Sequence, residues 1–394
     1  MLRCYRRSQP LQFAVSALLA LAACAPASGP AAPAKPAAPS NAPAGPGAAP
    51  AAPAPAAPTA PAQPTAQAPP PAPTHLRMAY QRLAVDVGFY VAEARGYLTQ
   101  EGIDLEQIYF ANGSEAMPAL ATGQLEIGGG AANPAMFNAL ARGIPLKAVA
   151  DRGTFRPGSP GDQAIVVRKE VWDRGQGRRL EDLKDLTLGI VSPGKGTTSG
   201  CALSAGLQRV GLTLDDMHIE GLSFADMVGA LANGAVDAAM ISEPFMSRAR
   251  RQGTIVRLMG VEDLYPNFTL TTLGLHEELY KNRPVAKGLV KAYIRGIRDY
   301  LDARAGRTSE ADRAQVEDII ARATNLDAAT VHEMDPPNFN PNGLPNKESM
   351  HYCYQFFRDL GLVPQPIPDA TFANLWGTDL VEEVLNDIGR RPED

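Results

Sequence analysis

Two stretches far apart in this chain repeat one another. Ala119–Glu126 (ALATGQLE) and Ala230–Asp237 (ALANGAVD) align without a gap at an offset of 111 residues. Each reads as the end of a helix, a Gly stop (Gly123, Gly234) and the start of a strand of small and apolar residues. Each is then followed by a helix start, Asn133-Pro134 in the first copy and Glu243-Pro244 in the second. A polar residue before a proline is the usual signal for a first helical turn. Around the first copy, Ser114 is placed to cap the incoming helix, Leu125–Gly129 is the strand, and Gly130–Ala132 form its exit. A helix–strand–helix unit repeated at that distance predicts two similar α/β lobes, with a cleft between them as the first functional expectation.

The rest of the chain reads the same way. Strands are expected at His75–Tyr80, Leu105–Phe110, Leu146–Ala150, Ile165–Arg168, Leu188–Val191, Met217–Gly221, Ala238–Ile241 and Thr254–Met259, with Thr269–Leu275 as a return strand. Helical patterns alternate with them from Gly88–Ala94 onward, which argues for parallel-rich sheets. From residue 284 the chain is helical: Pro284–Arg304 carries apolar residues at the spacing of one helix face, and Ala311–Thr324, Lys347–Leu360 and Thr378–Ile388 follow.

The first 74 residues are of another kind. Arg3, Arg6 and Arg7 precede the apolar run Leu11–Leu21, too short to span a bilayer, so residues 1–23 read as a secretory signal. Leu21-Ala22-Ala23-Cys24 resembles a bacterial lipobox, which makes Cys24 the lipid-attachment residue and places the protein outside the cytoplasm, anchored to the cell envelope. Residues 24–74 are Ala- and Pro-rich, without charge after Lys35 and without aromatics up to Pro73, so they cannot bury a core and are expected as a disordered spacer. Extended at about 3.1 Å per residue, the spacer reaches on the order of 150 Å.

Removing the signal leaves 34 Lys and Arg against 42 Asp and Glu, and no basic stripe suggests nucleic acid. Cys201 and Cys353 are expected as buried free thiols. They are assigned to different lobes, where a bond would pin a hinge. The five His (His75, His218, His276, His332, His351) are scattered, with no HxH or HExxH pair, so no metal is expected.

The segments GFYVAEARGYLTQEGIDLE and ALATGQLEIGGGAANPAMFNALARGIPLKAVA resemble the periplasmic substrate-binding proteins of ABC importers. The branch they resemble is the nitrate/sulfonate/taurine and thiamine-pyrimidine-precursor type. The likeness runs from His75 to Gly389 and includes Asn340–Asn346. It implies a bilobal fold of the type II periplasmic-binding kind, each lobe a mostly parallel sheet flanked by helices, with two crossings between lobes. Residues 75–164 would form the first part of lobe 1, 165–264 lobe 2, and 265–394 the return to lobe 1 with C-terminal helices packed on it. The implied function is capture of a small organic or oxyanion solute by hinge closure, as a monomer delivering to a permease and ATPase. A sensor presenting solute to a receptor is the alternative within binding proteins. Some relatives in the pyrimidine branch are enzymes with a cysteine-rich iron motif and a pyridoxal-phosphate Lys. This chain has no Cys cluster, and neither catalysis nor a cofactor is expected.

Ligands of parallel sheets sit where strand carboxyl ends meet helix N-termini. Those places give the candidate contacts Gln81, Asp86, Ser114, Ala132, Asn133, Thr197, Thr198 and Glu243. Free N–H groups at helix starts suit anionic or hydrogen-bonding ligand groups. Ser192-Pro193-Gly194-Lys195-Gly196-Thr197-Thr198 is no P-loop, because Lys195 precedes the second Gly; Thr197 and Thr198 are expected as hydroxyls at a ligand-facing cap. The resemblance puts Glu243 at the cleft edge. Phe89, Tyr90 and Phe155 are candidate cleft-wall residues, and Phe89 and Tyr90, on a helix, fit a core equally well.

Overall fold

The computed structural model describes residues 72–111 and 113–392. The signal sequence, Cys24 and almost all of the spacer lie outside the described residues, as does Asn112.

Twelve strands are present among the described residues. They are β1 (Thr74–Tyr80), β2 (Ile103–Tyr109), β3 (Ile127–Gly129), β4 (Leu146–Asp151), β5 (Thr154–Phe155), β6 (Gln163–Arg168), β7 (Thr187–Val191), β8 (His218–Leu222), β9 (Ala238–Ser242), β10 (Ile255–Gly260), β11 (Phe268–Thr269) and β12 (Thr272–His276). Ten of them form two five-stranded sheets, ordered β2-β1-β3-β12-β4 and β10-β6-β9-β7-β8. In the first, β1 runs parallel to β2 and β3, and β12 is antiparallel to β3 and β4. In the second, β7 is parallel to β8 and β9, and β6 is antiparallel to β9 and β10. Each sheet therefore has four strands in one direction and one reversed. The reversed strands are β6, which enters the second sheet, and β12, which returns to the first.

The two remaining strands pair across the crossings. β5, just before the chain enters the second sheet, lies antiparallel to β11, just after it leaves. Phe155 faces Phe268 in register, and the Thr154 and Thr269 hydroxyls are 3.2 Å apart. The return strand expected as one piece over 269–275 is split at Leu270-Thr271, which belongs to neither ladder.

The repeated glycines do what their sequence signal asks: Gly123 and Gly234 take φ of +72° and +79°, a region open to Gly at no steric cost. Ser114 differs from its expected place. The helix begins at Gly113 and runs to Ala121, so Ser114 stands in its first turn and is not the residue before it.

The long helix Arg283–Arg304 packs against helix Val87–Ala94, with the Phe89 and Tyr293 rings stacked at 4.6 Å. The two backbones touch: a Cβ on Gly296 would lie 2.1 Å from the Gly88 carbonyl oxygen. Phe89, Tyr90 and Phe155, weighed as cleft-wall residues, are core. A second core is continuous between the two halves, running from Leu120 and Phe137 through Phe155 to Ile165, Leu188 and Leu203.

Helix Lys347–Asp359 belongs to that shared core, and so differs from the expectation that the C-terminal helices rest on the first half alone. It packs against both helix Pro134–Ala141 and helix Thr198–Gln208. Its Met350, Cys353 and Phe357 point inward, all fully buried. Cys201 and Cys353, expected free, are joined as a disulfide with their Cα atoms 5.6 Å apart. The expectation failed because it placed all of 265–394 away from the second sheet, whereas this helix brings Cys353 onto the Cys201 helix.

Candidate functional site

A cavity of about 110 Å³ lies between the two sheets and is lined from both. The first sheet contributes the ends of its parallel strands: Tyr80-Gln81 after β1, Phe110 after β2, Gly129 and Ala131 at β3, and Arg152 after β4. The second contributes Val191-Ser192 at the end of β7, Phe224 beyond β8, and Ser242 at the end of β9. The reversed strands present their beginnings, Gln163 of β6 and Leu270-Thr271 before β12. Opposite strand directions thus bring carboxyl ends and strand starts to the same space, the place where open α/β sheets hold ligands.

Helix starts face this space. Asn133 caps helix Pro134–Ala141, its Oδ1 accepting from the Met136 N–H at 2.9 Å. Thr197 caps helix Thr198–Gln208 by accepting from the Gly200 N–H at 3.1 Å, and donates to the Gly194 carbonyl at 2.8 Å. Thr198 reaches the other half, its hydroxyl donating to the Ala132 carbonyl at 3.1 Å. Gln163 links two more cleft residues: it accepts from the Ser199 hydroxyl at 3.2 Å and its amide donates to Ser242 Oγ at 2.7 Å. Gln81 donates to the Ala111 carbonyl at 3.3 Å.

The sequence candidates therefore divide. Gln81, Ser114, Asn133, Thr197 and Thr198 line the cavity. Ala132 is fully buried behind it and takes part through its carbonyl, while its neighbour Ala131 is at the wall. Asp86 is also fully buried, one layer back, where its Oδ1 accepts from Arg152 Nη2. Glu243 is not itself a lining residue, although Ser242 before it is. Its carboxylate accepts from the Ser247 N–H and hydroxyl, both at 2.9 Å, and from the Asp335 N–H at 3.0 Å.

Arg152 is the residue that sequence reasoning passed over. It is 5% exposed yet lines the cavity. Burial works most strongly against its charge, but the Asp86 carboxylate together with Tyr293 and Tyr90 holds the guanidinium above its ordinary pKa. Its signal was available, since Arg152 directly follows the strand β4, but no helix start follows to draw attention to it. Next to it, buried Asp151 accepts from Thr154, Gly153 and Asn340, and burial still pushes its pKa up to about 6. Among the described residues no group of three or more His, Cys, Asp or Glu gathers as a metal site.

Two mixed sheets flanked by helices, joined by paired crossings and meeting at one cavity, define the periplasmic-binding-protein fold. Solved structures carry the same fold. The aliphatic sulphonate binding protein SsuA of Escherichia coli superposes with a TM-score of 0.60 at 22% identity, over 79% of this chain and 100% of that one. The nitrate-binding protein NrtA of Synechocystis PCC 6803 superposes at 0.64 with 14% identity, over 80% and 89% of the two chains. The chain belongs to the NMT1/THI5-like family, whose model matches residues 85–303, more than half its length. A Brucella abortus protein that carries the name of a binding protein is 25% identical over 247 residues, 61% of this chain and 68% of its own.

Proposed function

We propose that this protein is the extracytoplasmic solute-binding lipoprotein of an ABC importer, and that it captures a small organic or oxyanion solute by closing its two halves on it. The observation that carries this reading is the cavity itself, walled by strand ends and helix starts from both sheets. Sulfonate- and nitrate-binding proteins of the same fold, together with the family assignment, support the solute class.

In this reading residues 75–164 and 265–394 make one lobe and 165–264 the other, with helix Lys347–Asp359 bridging the two, and the paired crossings β5 and β11 are the hinge. Gln81, Ser114, Asn133, Thr197 and Thr198 contact the solute, and the Ala132 carbonyl helps hold the halves together once it is bound. Asp86 and Glu243 act from behind the wall, Asp86 by orienting Arg152 and Glu243 by fixing the 335 segment. Cys24 carries the lipid and the Ala/Pro-rich segment spaces a monomeric binding unit from the membrane, where a permease and ATPase receive the solute.

A thermal-shift panel of anions, sulfonates, aromatic acids, amides and pyrimidines on the purified protein tests the reading. A saturable rise in melting temperature with one bound solute in native mass spectrometry is expected. Blanks across the panel in both assays would overturn it. For the anchor, metabolic labelling with a fatty acid should mark the full-length chain and be lost in Cys24→Ser.

A further inference from the structure

The two halves meet a second time through charge. Helix Phe245–Arg251 buries Met246 and Ala249 in the core of the second sheet, with Ala164 and Ile241. Helix Ala328–Glu333 and the residue after it bury Val331 and Met334 in the core of the first, with Tyr293 and Ile320. Each segment is thus anchored by its apolar side in a different core, and their charged residues face one another. Arg250 lies 2.9 Å from the Asp335 carboxylate, and Arg251 reaches Asp327 at 3.1 Å and Glu333 at 3.2 Å. Arg257 of β10 joins them, 3.3 Å from the same Asp335 carboxylate.

The two sides carry opposite charge. Helix Phe245–Arg251 holds no acidic residue, and its arginines crowd its C-terminal end, where the helix dipole favours cations. The inner end of the network is fixed: Glu243 accepts from the Asp335 N–H at 3.0 Å, and Arg257 pairs with buried Glu262 at 2.7 Å. The outer end is open to solvent, with the Arg251 side chain 36% exposed and those of Asp327 and Glu333 each 60%. Exposed pairs are individually weak and are screened by salt. Here all the pairs from Arg250 and Arg251 run between the halves, so what they contribute is lost when the halves part. The same helix reaches the cavity at its other end. Phe245 stacks on the lining residue Phe224 at 6.0 Å, and both rings pack against the cores of the two halves.

We propose that this network is a salt-sensitive clasp: it favours the closed arrangement of the halves and releases as ionic strength rises, so that salt as well as solute sets how far the protein is closed. The proposal rests on the closure reading above and adds a regulator to it.

Double electron–electron resonance on the purified mature protein tests it, in a Cys24→Ser background so that only introduced thiols take the label. Thr99→Cys in the first half and Gly229→Cys in the second are exposed helix positions outside the network. Cys201 and Cys353 are bonded to each other and stay unlabelled. Raising NaCl from 50 to 500 mM shortens the screening length about threefold. It should shift the distance distribution toward the open form and at least double the open fraction. Arg250→Gln with Arg251→Gln should show the high-salt distribution already at 50 mM and respond to salt less than half as strongly. Should that variant fail to fold, Asp327→Asn with Glu333→Gln removes the Arg251 pairs from the other side and should act in the same direction. A distribution that salt leaves unmoved, or folded variants that respond as strongly as the parent, overturns the proposal. The capture reading stands or falls separately, on whether any member of the thermal-shift panel binds.

Discussion

Cys201 and Cys353 tie the helix that opens with Thr198 to a helix that touches both halves of the protein. The bond lies beside the crossings, not across the cavity. At the start of the Cys353 helix, Ser349 Oγ accepts from the Thr269 N–H at 3.1 Å, and Asn346 donates its N–H to Thr269 Oγ1 at 2.8 Å, both within β11.

The bond closes a loop of 152 residues, and cross-links of that kind contribute typically about 2–4 kcal/mol. Reduction, or the pair Cys201→Ala with Cys353→Ala, should lower the melting temperature by several degrees while solute binding persists. Differential scanning fluorimetry with and without reductant checks the first part, and titration of the reduced protein the second.

Glu243 gives a contrasting case, because the family resemblance placed it at the cleft. Its three accepted hydrogen bonds lie behind the wall, and the one to the Asp335 N–H stitches β9 to the segment following helix Ala328–Glu333. Glu243→Ala leaves buried donors unpaired, at about 1–3 kcal/mol each where no water replaces the carboxylate. We expect a clear loss in urea midpoint and solute affinity within about threefold of wild type. A variant of normal stability that fails to bind would put Glu243 back in contact with the solute.

The contrast shows what one chain's sequence holds. The recurrence at Ala119 and Ala230, the Gly stops and the strand–helix alternation are local signals, each carried by adjacent residues, and they were legible. So were the loops that supply Gln81, Asn133, Thr197 and Thr198, because strand exits and helix caps are written within a few positions. Arg152 was not, since its meaning comes from Asp86, 66 residues earlier, and from the bare Gly129 beside it. Nor were the Cys201–Cys353 bond or the break at Leu270-Thr271, which follow from how distant segments pack.

Asp162 leads to a prediction about pH. It is buried at the first crossing, and desolvation foremost, then the neighbouring Glu243 carboxylate, push its pKa up to about 7. Glu262 and Asp335 add to the rise, while Arg257 is paired to both of them, at 2.7 and 3.3 Å. Unfolded, the same side chain ionises near its ordinary value of about 3.9. Between those values the folded protein holds a proton that the unfolded chain has released. Stability from this group therefore falls as pH rises from about 4 to about 7 and is level above, a loss on the order of 4 kcal/mol. Asp162→Asn should remove that slope, matching wild type near pH 4 and exceeding it at pH 7.5. Urea unfolding of both proteins across that range decides it, and parallel curves would count against the assignment.

Thr197 and Thr198 are neighbours with different tasks, and substituting each separates them. Thr197 holds a helix cap within one half, through Gly194 and Gly200. Its replacement by Ala should cost about 1 kcal/mol of stability in the free protein, in addition to the solute contact its hydroxyl makes in the proposed reading. Thr198 spans the halves through the Ala132 carbonyl. Thr198→Val keeps the side-chain shape and removes the hydroxyl with that bond, worth about 1 kcal/mol, so under the proposed closure its cost falls on the closed state. For a solute identified by the thermal-shift panel, that corresponds to roughly fivefold weaker binding, with the melting temperature of the free protein nearly unchanged. Titration and melting curves of the two variants side by side test the division. Equal effects of both substitutions on both measurements would mean that the Thr198 bond is scaffold and does not contribute to closure.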